Sequence, residues 1–140
     1  MKHLLFVAIL LAFTQCNTNS VSPTEKYSST DLVGRWVWVQ SSGGIAGTTN
    51  TPASTNETIE VEFTTDAHQR IYKNGQLISD LTYQIIQDTS MYTGKIASQI
   101  DYGHGGFRTS YDFDKGDLIL AQECFDCFVS RYTRKASGND

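Results

Sequence analysis

Alternating apolar and polar positions run through most of the chain after residue 34. The clearest case is the segment 59–64, where Ile59, Val61 and Phe63 are separated by Glu60 and Glu62. A period of two places one set of side chains on a buried face and the other in solvent, as in a half-buried β-strand. No long segment has the period of an amphipathic helix, so the pattern predicts an all-β protein.

Short turn signals separate the predicted strands. Asn74-Gly75 is the strongest, because both central residues of a type I′ hairpin turn have positive φ, and Lys115-Gly116 is similar. Consecutive hairpins predict an antiparallel, up-and-down order, and closure into an eight-stranded barrel is the most economical arrangement because it removes the edge strands. The eight predicted strands are residues 35–39, 59–64, 69–73, 76–87, 91–102, 107–113, 117–123 and 128–134.

A short helical turn is expected where the folded domain begins. Thr30 or Asp31 can cap this turn, which ends at Leu32. The residues before it are polar and aperiodic, which is typical of a flexible tether. The predicted segments are therefore a tether at 16–29, a barrel domain at 30–135 and a disordered tail at 136–140.

One connection, residues 41–56, is too long for a hairpin turn. It consists mainly of small residues and has no periodic face. Loops longer than about 12 residues in compact domains are either functional lids or mobile insertions, and both interpretations remain open here. Ile45 is the only large apolar residue in the loop, and it would pack into the barrel mouth if the loop is a lid.

The start of the chain is predicted to be an export signal. Lys2 provides a basic tip, residues 4–13 are an unbroken apolar run, and polar residues follow. A membrane-spanning helix needs roughly 20 apolar residues. The run is therefore too short to span a bilayer and fits the apolar core of a secretory signal.

The end of this signal resembles a bacterial lipobox, in which a cysteine is acylated and becomes the first residue of the mature protein. Cys16 occupies that position, although Gln15 stands where the motif has a small residue. The resemblance implies that residues 1–15 are a lipoprotein signal peptide and that lipid at Cys16 holds the protein on a cell-envelope membrane. Asn17 is not the aspartate that marks inner-membrane retention in some envelopes, which favours the outer membrane. Secretion without a lipid is the alternative.

The charge of the chain limits the kinds of partner that are expected. The formal net charge is −4 at pH 7 and the sequence has no cluster of Lys and Arg, so nucleic acid is not expected as a partner.

With Cys16 lipidated, Cys124 and Cys127 remain as a pair in an oxidising compartment. They fall at a predicted hairpin, where residues i and i+3 lie within about 7 Å, so a disulfide is predicted and free thiols are the alternative. A redox role is disfavoured, because no helix N-terminus is present to lower a thiol pKa.

Catalytic motifs are missing from the sequence. It contains no nucleophile motif, phosphate-binding loop or metalloprotease helix, so the protein is not expected to be an enzyme. His104 with Asp101, and His68 with Asp66, provide too few ligands to predict a metal site. No metal and no cofactor is expected.

Several short motifs, taken in order, resemble the small bacterial lipocalin-like domain lipoproteins. They are Leu32-Val33-Gly34-Arg35-Trp36, Gly43-Gly44-Ile45-Ala46-Gly47 with Thr51-Pro52, Val61-Glu62-Phe63, Lys73-Asn74-Gly75, Cys124-Phe125-Asp126 and Tyr132-Thr133-Arg134-Lys135. Cys127 departs from the family pattern, which has glycine after Cys-x-Asp. The resemblance covers nearly the whole predicted domain. It implies a barrel with one closed end, where Arg134 from the last strand packs over Trp36 from the first.

The predicted barrel interior is aromatic and aliphatic. The expected inward residues are Trp36, Val61, Phe63, Leu81, Tyr83, Ile85, Ile96, Ile100, Phe107, Tyr111, Phe113, Leu118, Leu120, Phe128 and Tyr132. Eight-stranded barrels are either filled by side chains or hold one small ligand. The leading hypothesis is a small, largely apolar ligand, and the alternative is a solid module that binds or inhibits an envelope protein. The candidate ligand-binding residues are Trp38, Ile45, Tyr83, Tyr92, Tyr111 and Tyr132.

Overall fold

The computed structural model describes residues 29–103 and 105–136. This part of the chain contains ten β-strands and two short helices. The helices are α1 (Ser29–Leu32) and α2 (Pro52–Thr55). The strands are β1 (Gly34–Gly43), β2 (Thr48–Asn50), β3 (Ile59–Phe63), β4 (His68–Lys73), β5 (Gln76–Thr82), β6 (Gln84–Thr89), β7 (Ile96–Asp101), β8 (Thr109–Asp114), β9 (Asp117–Gln122) and β10 (Phe128–Arg134).

The strands form one curled antiparallel sheet in the order β5-β4-β3-β1-β10-β9-β8-β7-β6, with β2 paired to part of β1. The predicted all-β, antiparallel class is therefore confirmed. The last strand, β10, lies beside β1, with Trp36 opposite Arg134. This pairing brings the two ends of the domain together in the middle of the sheet.

The prediction of a closed eight-stranded barrel is wrong, because the sheet is a half-barrel whose outer strands are β5 and β6. The predicted strand 76–87 is divided at Tyr83, whose backbone N–H donates to the carbonyl of Ala67 at 2.9 Å. Residues before Tyr83 pair with β4 and those after it pair with β7. The chain therefore turns away from its first partner, and no ladder joins β5 to β6 among the described strands.

The predicted loop 41–56 is largely ordered structure. β1 continues to Gly43, β2 returns beside it, and α2 follows. Thr51 caps α2 in a reciprocal capping box with Ser54, and Pro52 occupies the first turn. Gly43 has a φ of 153°, and a Cβ there would overlap the carbonyl oxygen of Cys127. Only glycine allows this approach of the β1–β2 turn to the hairpin between β9 and β10.

The predicted strand 91–102 is shorter than expected, because residues 90–95 form a turn. The Ser90 N–H donates to the Lys95 carbonyl at 2.9 Å. The Glu123 side chain holds this turn in place, since its Oε2 accepts a hydrogen bond from the Met91 N–H at 2.6 Å. The strand β7 begins only after the turn, at Ile96.

One end of the half-barrel is closed by α1. The Trp36 indole Nε1 donates to the Leu32 carbonyl at 2.9 Å, and both side chains are almost fully buried. The Arg134 guanidinium donates to the carbonyls of Asp31 and Val33 at 2.7 and 3.1 Å. A tightly packed cluster around Trp36, Phe63 and Leu118 fills this end.

No helix within residues 29–103 and 105–136 is long and apolar enough to cross a membrane. The predicted signal peptide, Cys16, nearly all of the tether, His104 and residues 137–140 lie outside the described residues.

Candidate functional site

A cavity of about 530 Å³ lies inside the curled sheet, away from the end that α1 closes. Its volume falls within the range of roughly 300–1,000 Å³ that is usual for ligand pockets. The lining residues are Trp38, Ser41, Asn50, Thr55, Glu57, Ile59, Val61, Gln69, Ile71, Leu81, Tyr102, Phe107, Thr109, Leu120, Gln122, Phe128, Ser130 and Tyr132.

An aliphatic wall forms one side of the cavity. Ile59 and Val61 come from β3, Ile71 from β4 and Leu81 from β5. Strand alternation explains this wall, because the intervening residues point outward. For example, Glu62 lies between Val61 and Phe63 and accepts a hydrogen bond from the outward-facing Tyr72 hydroxyl.

A chain of hydroxyl groups crosses the adjoining wall, on β1 and β10. The Trp38 Nε1 donates to the Ser41 Oγ at 2.8 Å, and this Oγ lies 2.6 Å from the Ser130 Oγ. Ser130 in turn hydrogen-bonds the Tyr132 hydroxyl. Burial raises the pKa of Tyr132, with the Ser130 bond acting in the opposite direction. These groups therefore present a neutral polar strip beside the aliphatic wall.

A second polar cluster joins β4 to the β7–β8 connection. The buried amide of Gln69 and the buried hydroxyl of Thr109 both hydrogen-bond the phenol of Tyr102. Burial raises the pKa of Tyr102 to about 12, against the opposing effect of these two hydrogen bonds. The phenol is therefore uncharged at neutral pH.

Residues that follow β1 form part of the cavity rim. Asn50, Thr55 and Glu57 all line it, so the ordered segment 48–57 does contact the interior. Glu57 is already paired, since its Oε1 lies 2.6 Å from the Lys73 Nζ. This ion pair ties the rim to the end of β4.

Two of the six candidate ligand-binding residues, Trp38 and Tyr132, line the cavity. Tyr111 is buried in the core beside Phe113, with ring centroids 6.2 Å apart. Tyr83 lies at the bend between β5 and β6 and packs edge-on against Phe63. Neither Tyr111 nor Tyr83 lines this cavity.

The other two candidates lie on the outside. Ile45 is 92% exposed in the β1–β2 turn, where Gly44 and Gly47 both have positive φ, and it does not line the cavity. Tyr92 is about half exposed, and its hydroxyl donates to the Cys124 carbonyl at 3.0 Å. Tyr92 therefore holds the turn 90–95 against the neighbouring hairpin.

Three residues predicted to point inward are substantially exposed, although Leu81 and Phe107 still line the cavity. Leu81 lies on the edge strand β5, Ile96 begins β7, and Phe107 precedes β8. Each lies on an edge strand or at or just before the start of a strand, so few side chains pack against it. Phe107 is 70% exposed but still contributes to the cavity rim.

Five polar lining residues are not among the predicted site residues: Ser41, Gln69, Tyr102, Thr109 and Ser130. Their signal was present, because Gln69 and Thr109 occupy inward positions of alternating strands where apolar residues are expected. A polar side chain on the inward face must be satisfied by a partner or a bound molecule.

Cys124 and Cys127 form a disulfide with a Cα–Cα distance of 5.6 Å. The described residues contain no group of three or more His, Cys, Asp and Glu side chains that could hold a metal. The His68 Nδ1 lies 2.7 Å from the Asp80 Oδ1 rather than acting with Asp66. The hydrogen bonds from His68 and Arg70 lower the pKa of Asp80.

Comparison with known proteins gave no match to a family model, to a curated protein or to a solved structure.

Proposed function

We propose that this chain is a lipocalin-like envelope lipoprotein, anchored through Cys16, whose half-barrel binds one small, largely apolar molecule. The observation that carries the proposal is the cavity of about 530 Å³ inside the sheet. A filled core at this place would favour a structural role. A cavity with one aliphatic wall and a few placed hydroxyl and amide groups has the usual composition of a small-molecule site.

Trp38 provides a direct signal for binding. The sequence contains two tryptophans, and only Trp38 lines the cavity, whereas Trp36 is covered at the closed end. An occupant should change the fluorescence of Trp38. The first experiment is native mass spectrometry of the chain as the cell produces it, followed by titration of the extracted material into the emptied protein. The fluorescence response should disappear in Trp38→Phe.

A cavity-filling pair of variants provides the matched control. Ile71→Trp should abolish the response, because Ile71 lines the cavity. Ile119→Trp makes the same change on the outward side of β9, next to the inward Leu120, and should bind normally. Loss of binding in both variants, or in neither, would contradict binding inside the cavity.

The proposed anchor needs its own test. Mass spectrometry of the N-terminal peptide from the membrane fraction should find Cys16 as the first residue, carrying acyl chains. An N-terminal peptide without acyl chains on Cys16 would contradict lipid attachment at this residue.

A second candidate is an envelope interaction or inhibitor module. The edge strand β5 favours it, because Leu77 and Ile78 are each about half exposed on a strand edge that no other described strand pairs with. This function predicts that Ile78→Lys, and not Ile71→Trp, removes a partner that is cross-linked in intact cells. The reverse result favours the cavity.

A further inference from the structure

The charge of the cavity lining limits the chemistry of its occupant. Among the described lining residues, Glu57 is the only Asp, Glu, Lys, Arg or His side chain. Its carboxylate is already neutralised by Lys73 at the rim. Neither a cation for an anionic head group nor an unpaired carboxylate for a cationic one is therefore present in this lining.

The polar groups of the interior are hydroxyls, amides and phenols. The Trp38–Ser41–Ser130 chain lies on one wall, and Gln69 and Tyr102 lie on another. Hydroxyl oxygens have two acceptor sites, and an amide has two donor and two acceptor sites. They can therefore hydrogen-bond a hydroxyl, carbonyl or amide of a ligand in addition to one another.

A charged group buried in this cavity would find no unpaired side chain of opposite charge in the described lining to offset its desolvation cost. A buried ion without a partner is far more costly than a buried neutral polar group that keeps a hydrogen bond. A neutral amphipathic molecule, in contrast, matches both walls. Its hydrocarbon part would pack on Ile59, Ile71 and Leu81, and its polar group would reach the hydroxyl strip.

We infer that the half-barrel selects uncharged amphipathic molecules, with an alcohol, carbonyl or amide group, over fatty carboxylates and alkylammonium ions of the same size. This inference rests on the proposed function, since it assigns the ligand class of the same cavity.

The test uses four probes of equal chain length: ω-bromododecanol, ω-bromododecanamide, ω-bromododecanoate and ω-bromododecylammonium. Bromine quenches tryptophan on contact, so Trp38 reports occupancy by each probe. At neutral pH the alcohol and the amide should bind at least about tenfold more tightly than the two ions. Acidification below the pKa of the fatty acid should raise the affinity of the carboxylate probe only.

A charge-introducing variant makes the electrostatic cause testable. Gln122 lines the rim and is exposed, so Gln122→Lys should fold and add the missing cation. It should raise carboxylate affinity several-fold, lower ammonium affinity, and leave the alcohol unchanged. Gln87→Lys on β6, which is exposed and outside the lining, is the control and should change none of them.

The outcomes separate the two proposals. Carboxylate or ammonium binding as tight as alcohol binding in the unmodified protein would overturn the inference while leaving cavity binding in place. Carboxylate and ammonium affinities that do not change in Gln122→Lys would overturn the electrostatic cause. If neither the four probes nor the extracted material changes the fluorescence of Trp38, the proposed function and the inference are both wrong.

Discussion

The Arg134 guanidinium carbon lies 4.2 Å from the centroid of the Trp36 indole ring. The contact joins the last residue of β10 to β1, and the same guanidinium binds the carbonyls of Asp31 and Val33. One side chain therefore holds the two ends of the domain and α1 together. Neither residue lines the cavity.

Arg134→Ala should destabilise the closed end. The loss of a cation–π contact and of two hydrogen bonds should lower the free energy of unfolding by about 1–3 kcal/mol, measured by urea denaturation. The neighbouring Lys135 makes a half-exposed ion pair with Glu60 at 2.8 Å, so Lys135→Ala should cost less than about 1 kcal/mol. Equal costs for the two variants would mean that Arg134 acts only as a surface charge.

Reduction of the disulfide should have a moderate effect on stability. Cys124 and Cys127 are separated by three positions, and closing so short a loop removes chain entropy worth about 2 kcal/mol. Denaturation with and without reductant should show this difference. A Cys124→Ala/Cys127→Ala protein should not respond to reductant and should still bind ligand, because neither cysteine lines the cavity. Loss of binding in that variant would show that the hairpin shapes the site.

Alkaline pH should destabilise the protein through Tyr102. Its pKa rises from 10.0 to about 12 on folding, so the unfolded chain loses this proton first as the pH increases. The resulting stability is fully present below about pH 10 and is lost between about pH 10 and pH 12. The measurement is the free energy of unfolding across this range.

Tyr102→Phe should flatten the alkaline decline and lower the stability at neutral pH by about 1–3 kcal/mol, because Gln69 and Thr109 lose their shared partner. Tyr72→Phe, on the outer face, should change the decline less than Tyr102→Phe, because burial raises the pKa of the more exposed Tyr72 less. A decline as steep in Tyr102→Phe as in the unmodified chain would assign the effect to other tyrosines.

The edge strand β5 should promote self-association at high concentration. Ile78 is 57% exposed on a strand that has a partner on only one side in the described part of the chain, and Ile78→Lys should reduce association in sedimentation velocity experiments. Val129→Lys also replaces an exposed apolar residue, but β10 is paired on both sides, so it should have no effect. Similar reductions in both variants would indicate general charge repulsion.

The antiparallel order was predictable where alternation is strict and turns are short. β3 and β4 follow the expected segments, and Asn74 and Gly75 both have positive φ in the turn between β4 and β5. The failure of the sheet to close was not predictable. The hydrogen bond from the Tyr83 N–H to the Ala67 carbonyl divides the long strand, and it is a tertiary contact with no local sequence signal. The helix α2 did have a signal, since Thr51, Pro52 and Ser54 form a cap at the usual spacing.

The cavity was harder to predict than the strands. Trp38 and Tyr132 were identified because large aromatic residues on inward positions favour either core or pocket. Gln69 and Thr109 were overlooked because their polarity argues against an inward position until the partner Tyr102 is known. Ile45 was chosen for its size in a polar loop, yet it lies almost fully exposed in a turn that Gly44 and Gly47 form with positive φ.

Tyr83 is the single residue between β5 and β6, so the two outer strands of the sheet meet at this position. Leu81, two residues before it, lines the cavity, and Ile85, two residues after it, packs on the core. Each outer strand stays paired to its inner neighbour, β5 to β4 and β6 to β7. At this end of the half-barrel the chain itself therefore keeps the two outer strands together, where no described ladder of hydrogen bonds joins them.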